Sequence, residues 1–337
     1  MAKIAVFGAG SWGTALAQVL AENGHKVVLW GRNAEHMHEI NEARENKKYL
    51  PGIALDKELV VTSEWTPLDT YDYLLISIPT QNQRNFLSEH KEEIQRSNAI
   101  LVNVAKGIET STKKCMHEIY NDVLGDVTNR YVVLYGPSHA EEFGKDMPTA
   151  LVAASYDAQS AESVQNIFMN DNVRVYTSKD VIGVELGGAL KNIIALAIGM
   201  TVGLGYGDNA RAALMTRGLA EITRLGVALG AEAYTFLGLT GVGDLIVTCT
   251  SQHSRNRRAG IMLGQGKRLE EVLADMGMVV EGVATTKAAY ELARDKNIEM
   301  PILEQMYHVL FADGDVNECT RTLMKRSKKS ESDDFKK

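Results

Sequence analysis

The sequence predicts an α/β protein: a Rossmann-type, doubly wound, mostly parallel sheet over residues 1–178, followed by an all-α C-terminal domain over 179–325. Three observations carry that expectation. A G-x-G-x-x-G turn, Gly8-Ala9-Gly10-Ser11-Trp12-Gly13, joins a β-rich run to a helical pattern. Apolar runs suited to buried strands then alternate with helical patterns as far as about residue 177. From Ser178 onward strand-like runs become rare, and helical patterns dominate to about Lys325.

Lys3-Ile4-Ala5-Val6-Phe7 supplies the first strand and residues 14–20 the first helix. Between them Gly8 permits a tight turn, Gly10 lets the backbone approach a pyrophosphate, and Gly13 lets the helix pack closely. Phosphates would rest on unpaired N–H groups at the helix start, a contribution of roughly 0.3–1 kcal/mol. Asn23-Gly24-His25 closes the helix, and Lys26-Val27-Val28-Leu29-Trp30 is the second strand, completing a βαβ unit that binds a dinucleotide. Residues 33–47 read as a polar helix and 59–62 as a short third strand. Buried parallel strands follow at 73–78, 100–104 and 131–135, ended by Pro79, Lys106-Gly107 and Gly136-Pro137-Ser138. Residues 150–154 and 173–176 are additional edge strands, and 326–337 a disordered charged tail.

The composition describes an ordinary globular chain: 45% apolar and 23% charged residues, with a formal charge of −7 that argues against nonspecific nucleic-acid binding. Three cysteines, far apart, suit a reducing compartment and offer no metal or disulfide framework. His36-Met37-His38 lies in a polar helical segment and is read as a solvated face, not a metal pair. The longest apolar run, 193–204, is interrupted by glycines and too short to span a bilayer. With no signal-peptide pattern, a cytoplasmic location is expected.

In such sheets ligands gather beyond the carboxyl ends of the strands, which singles out Pro79, Lys106 and Ser138 by position, with a surface lysine beginning a turn as the alternative for Lys106. Ser138-His139-Ala140-Glu141 also has capping-box spacing. In the second domain, Glu185-Leu186-Gly187-Gly188-Ala189-Leu190-Lys191-Asn192 runs into the apolar stretch. A helical lysine leans over the residues three and four earlier, here Gly188 and Gly187, which leave a trough for its stem. Burial there would lower its pKa to roughly 7–8 and suit it to exchange a proton near neutrality; snorkelling to water or pairing with Glu185 is the alternative. Asp244, after the glycine-rich segment 238–243, reads as a helix cap. Ser254-Arg255-Asn256-Arg257-Arg258 reads as a helix start whose positive charge opposes the dipole. A bound phosphate would offset it, and a solvated basic face is the alternative.

With these residues in view, the chain resembles the bacterial NAD(P)-dependent glycerol-3-phosphate dehydrogenases from Lys3 to about residue 320. The resemblance rests on Gly8 to Gly13, on Val104-Ala105-Lys106-Gly107-Ile108-Glu109, on Gly136-Pro137-Ser138-His139-Ala140, and on residues 185–195 and 238–258. It implies reduction of dihydroxyacetone phosphate to sn-glycerol 3-phosphate for glycerophospholipid synthesis, with Lys191 as general acid/base. It places Lys106, Gly136, Ser138, Lys191, Asp244, Ser254, Arg255 and Asn256 on the substrate. Ser11, Trp12, Arg32, Lys106, Ala140, Arg255, Val279 and Glu281 would contact the cofactor, beside Gly8, Gly10 and Gly13. It implies no metal and suggests a homodimer. A related β-hydroxyacid dehydrogenase, with no need of Arg255, or a nonenzymatic nicotinamide sensor, with no need of Lys191 and Arg255 together, stays open.

The second strand ends in Gly31-Arg32-Asn33, where NAD-preferring domains usually carry an acid for the ribose 2′-hydroxyl. An arginine pairs with a 2′-phosphate instead, so NADPH is the expected preference, with NADH tolerated.

Overall fold

The protein, described here from a computed structural model, is defined over residues 1–328, 330 and 331. Most of the expected charged tail at 326–337, namely residues 329 and 332–337, lies outside the described residues. The described chain divides into two units: Met1–Ala105 with Met116–Val181, and Lys106–Cys115 with Ile182–Lys337.

The first unit runs β1 (Lys3–Phe7), α1 (Ser11–Glu22), β2 (Lys26–Trp30), α2 (Ala34–Ala43), β3 (Val60–Thr62), β4 (Tyr73–Ile76), α3 (Thr80–Glu89), α4 (Lys91–Arg96), β5 (Ile100–Asn103), α5 (Met116–Leu124), β6 (Tyr131–Tyr135), α6 (Ala140–Phe143), β7 (Thr149–Ala154), α7 (Ala158–Phe168) and β8 (Val173–Ser178). The strands form one sheet in the order β3-β2-β1-β4-β5-β6-β7-β8. All pairings are parallel except β6 with β7. Strand order reverses between β1 and β4, the switch point at which such sheets bind ligands. Every residue of β4 and β6 is buried, as expected of strands covered on both faces. At the edge, β8 buries Val173 and Val175 while Arg174 and Tyr176 face out.

Two local expectations fail here. Ser138 and Glu141 form no capping box: the N-cap of α6 is His139, one residue later, and the Ser138 hydroxyl donates to the Gly136 carbonyl at 3.1 Å. His36 does not lie on a solvated face. Its side chain is 14% exposed and its ring stands edge-on to Tyr49 at 5.3 Å, because the chain after α2 folds back over the helix; His38 is exposed.

The second unit is helical: α8 (Val181–Gly203), α9 (Asp208–Ala228), α10 (Asp244–Thr250), α11 (Arg255–Gly264), α12 (Leu269–Met276), α13 (Glu281–Asp295), α14 (Pro301–Phe311) and α15 (Val316–Met324). A π-helical turn, Leu239–Gly243, leads into α10. The central helix, α8, is buried at every position from 183 to 201, as a helix apolar all round must be. Contrary to the expectation from its apolar run, α8 is by length and composition long enough to cross a membrane. Yet 94% of its most apolar window is buried within the protein itself.

Glycines set the approach of α11 to α8. A Cβ on Gly199 would lie 2.2 Å from the Arg257 carbonyl oxygen, and one on Gly260 would lie 2.1 Å from that of Leu196. Gly203 and Gly264 repeat the arrangement one turn on, at 2.4 Å from Ile261 O and 2.3 Å from Met200 O. The two backbones meet directly, with no side chain between them.

Candidate active site

In the first unit the carboxyl ends of β1, β2 and β4 are in register, with Phe7 opposite both Trp30 and Ile76. The turn that follows is built from glycine for three separate reasons. Gly8 has φ +112° and would place a Cβ 2.8 Å from the Ser77 carbonyl oxygen. A Cβ on Gly13 would lie 2.0 Å from the Gly8 oxygen, so the loop folds onto the first turn of α1. Gly10, by contrast, has nothing within 4 Å of its absent Cβ among the described residues. As the N-cap of α1, Gly10 brings no side chain to the first N–H groups of the helix, which are left for an external acceptor. Trp12 leans edge-on against Phe143 at 5.0 Å, beside the α6 start that carries Ala140. Arg32 is exposed directly after β2, and Asn33 caps α2 by accepting the His36 N–H at 2.9 Å. After β6, Gly136 has φ +155° and would press a Cβ to 2.7 Å from the Ala150 oxygen.

The second unit brings three of the expected residues into one buried cluster. Lys191, on α8, donates to Asp244 Oδ1 at 2.5 Å and to Thr248 Oγ1 at 2.5 Å. Lys106 donates to the other carboxylate oxygen of Asp244 at 2.7 Å. Lys191 is 6% exposed and Asp244 1%. Burial pushes the Lys191 ammonium down to about 8; attraction to Asp244 opposes this, and repulsion from Lys106 adds to it. For Asp244, burial alone would raise the carboxyl, but the two ammonium groups outweigh it and hold it below the ordinary carboxylate range. Asp244 therefore stays charged and anchors two lysines. The nearby Cys249 thiol is pushed up to about 12 by burial and is inert as a nucleophile near neutral pH.

Three sequence expectations are corrected in this cluster. Asp244 opens α10 as a buried counter-ion for two lysines, not as a simple cap. Lys191 pairs with Asp244 instead of Glu185. Gly187 does not serve as a trough for the lysine stem: a Cβ there would lie 2.6 Å from the Thr240 oxygen, so this glycine admits the π-helical turn that delivers Asp244. Thr248 was not singled out, although its i+4 spacing from Asp244 on a helix is a readable signal.

The start of α11 forms as expected, with Ser254 as N-cap accepting the Arg257 N–H at 3.2 Å. No acid occupies its first turn, so three arginines stand at the positive end of a helix dipole. Arg255 Nη1 donates to the Val279 oxygen at 3.3 Å, just before α13 opens at Glu281. Among the described residues, no three His, Cys, Asp or Glu side chains gather in a way that could hold a metal.

Over most of its length the chain is similar to known proteins. Residues 3–161 match the family model for the NAD-dependent glycerol-3-phosphate dehydrogenase N-terminus, and residues 180–321 that for the C-terminus. The chain is 56% identical over 337 residues to a glycerol-3-phosphate dehydrogenase (NAD(P)+) of Geobacillus kaustophilus, covering 99% of this chain and 98% of the relative. It is 52% identical over 333 residues to one from Staphylococcus aureus, covering 98% of this chain and all of the relative. Among solved structures, a glycerol-3-phosphate dehydrogenase from Coxiella burnetii is similar with a TM-score of 0.92 and 37% identity, over 96% of this chain and 99% of that one.

Proposed function

The chain belongs to the NAD-dependent glycerol-3-phosphate dehydrogenase family, and from that premise we propose how its own residues carry the reaction. It is an NAD(P)-dependent oxidoreductase acting on a CH–OH group, interconverting dihydroxyacetone phosphate and sn-glycerol 3-phosphate. The first unit fits a dinucleotide: open space at Gly10 and the uncapped α1 start suit a pyrophosphate. By family resemblance Ser11, Trp12, Arg32 and Ala140 contact the dinucleotide, beside Gly8 and Gly13. When bound, the cofactor supplies the hydride that C2 of the substrate receives.

The buried Lys191–Asp244–Thr248 cluster is the observation that carries the mechanism. In reduction, Lys191 protonates the oxygen on C2; in oxidation it removes that proton. With a pKa of about 8 it holds the proton at neutral pH yet releases it without a large barrier. Asp244 and Thr248 fix the Nζ atom, so its donor direction is set before substrate arrives. Lys106 offers a second ammonium group held by the same carboxylate. The phosphate is taken by the α11 start, through Ser254, Arg255 and Asn256, where it offsets the opposed dipole. Gly136 and Ser138 are further substrate contacts, and Arg255, Val279 and Glu281 further cofactor contacts, by family resemblance. The same resemblance supports a homodimer in the cytoplasm supplying glycerophospholipid synthesis, and sedimentation of the purified chain checks the dimer.

The test compares NADPH oxidation with dihydroxyacetone phosphate and with unphosphorylated dihydroxyacetone. A large excess of kcat/KM for the phosphorylated ketone is expected. Equal turnover of both, or a preference for a non-phosphorylated β-hydroxyacid, would overturn the assignment.

A further inference from the structure

The glycine turn after β1 is gripped by a side chain 37 residues further along the chain. Asn46 Nδ2 donates one proton to the Ala9 carbonyl at 3.0 Å and the other to Thr14 Oγ1, on α1, at 2.8 Å. Its Oδ1 accepts the Tyr49 N–H at 3.2 Å, so both donors and the acceptor of the carboxamide are engaged. Asn46 and Thr14 are fully buried. The next carbonyl is tied as well: that of Gly10 accepts the Thr14 N–H at 3.0 Å. Across a planar trans peptide the N–H points opposite to the C=O. With the Ala9 and Gly10 carbonyls both held by the protein, the N–H groups of Gly10 and Ser11 face away from those bonds. Neither finds an acceptor among the described residues. Asn46 is itself braced, because the chain after α2 is strapped across α1. Gln18 Oε1, on α1, accepts the Asp56 N–H at 2.7 Å, and Arg44 donates to the Asp56 and Leu59 carbonyls.

We propose that Asn46 is a positioning residue for the cofactor diphosphate, fixing the Ala9–Gly10 peptide plane so that its N–H is presented to a phosphate oxygen. Glycine makes such a grip necessary. Gly8 and Gly10 give the turn its clearance, but they also leave the peptides between them free to rotate. Asn46 removes that freedom before the ligand arrives, which lowers the ordering cost of binding. It acts through the Ala9–Gly10 peptide and leaves hydride transfer untouched.

This inference rests on the reading that the turn takes the dinucleotide's diphosphate, and the experiment tells the two apart. With the full chain, dissociation constants of NADPH and NADH are measured by fluorescence titration for wild type, Asn46→Ala, Gln18→Ala and Gly10→Val. Inhibition by adenosine 2′-monophosphate, which carries no diphosphate, is measured alongside. Asn46→Ala is expected to weaken both dinucleotides roughly tenfold, the scale of one buried hydrogen bond. Its kcat at saturating cofactor and its inhibition by adenosine 2′-monophosphate should stay at wild-type values. Gln18→Ala loosens the same strap without touching Ala9, and should lower Tm while dinucleotide binding holds. Should Asn46→Ala fail to fold, Asn46→Ser carries the test with the same pattern expected, its hydroxyl being too short to reach the Ala9 carbonyl. Failure of both to fold would assign Asn46 to folding alone and overturn the positioning role. So would unaltered dinucleotide binding, an equal weakening of adenosine 2′-monophosphate, or an equal loss in Gln18→Ala. If Gly10→Val leaves NADPH binding intact, the diphosphate reading itself falls.

Discussion

The two units present their functional residues in opposite states. In the first, what matters is absence: Gly10 faces open space, α1 begins without a capping side chain, and Arg32 is exposed with Glu35 a turn further on, also exposed. In the second, Lys191, Asp244 and Thr248 are buried and bonded to one another before any ligand arrives. The glycine turn leaves donors for a ligand to satisfy; the lysine cluster holds its catalytic donor bonded and poised. Affinity and chemistry should therefore respond to different substitutions.

The largest expected break in that comparison is Lys191→Met, which keeps much of the stem's apolar packing. It should lower kcat by ~10²–10⁴-fold and leave the dissociation constant of NADPH nearly unchanged, measured by fluorescence titration. A retained kcat would remove Lys191 from the mechanism. Next, Arg255→Lys keeps the charge and loses the planar fork. Its kcat/KM for dihydroxyacetone phosphate should fall roughly 10- to 100-fold, with little change for dihydroxyacetone; an equal loss for both would contradict a phosphate clamp.

pH should divide the units without mutation. Lys191 titrates at about 8, so kcat for ketone reduction, which needs the ammonium, should fall about tenfold per pH unit above that value. Oxidation of glycerol 3-phosphate needs the free amine and should rise over the same range, while NADPH affinity stays level. Parallel limbs in both directions would point to a group other than Lys191. The smallest effect belongs to the exposed residue. Arg32→Ala should weaken NADPH about fivefold relative to NADH, the scale of an exposed charge pair near 1 kcal/mol. Wild type favouring NADH, or equal losses for both cofactors, would show that Arg32 does not read the 2′-phosphate.

Much of the first unit was legible because its signals are local. Strand, glycine turn and helix follow within residues 3–22, and each glycine's reason lies within the same βαβ unit or the adjoining strand. Lys191 was legible as an anomaly, a cation inside an apolar helix. Its partner was not, because Asp244 is 53 residues away and an acid before a short helix has an ordinary capping explanation. Gly187 misled for the same reason: the atom that excludes a side chain there belongs to Thr240, which no local pattern announces. Ser138 and Glu141 had capping-box spacing but not the backbone to use it, since the helix starts one residue later.

The glycine seam between α8 and α11 carries a consequence for how the second unit opens. With backbone pressed on backbone at Gly199, Gly203, Gly260 and Gly264, neither helix can peel away a residue at a time, because no side chain is present to slide. The two should come apart together or not at all, so their amide protons near the seam belong to one slowly exchanging foldon. Lys191 and Arg255, one on each helix, inherit that shared rigidity. Local breathing that frees loops elsewhere would leave the proton donor and the phosphate anchor in fixed relation, separable only by an event close to global unfolding of the unit.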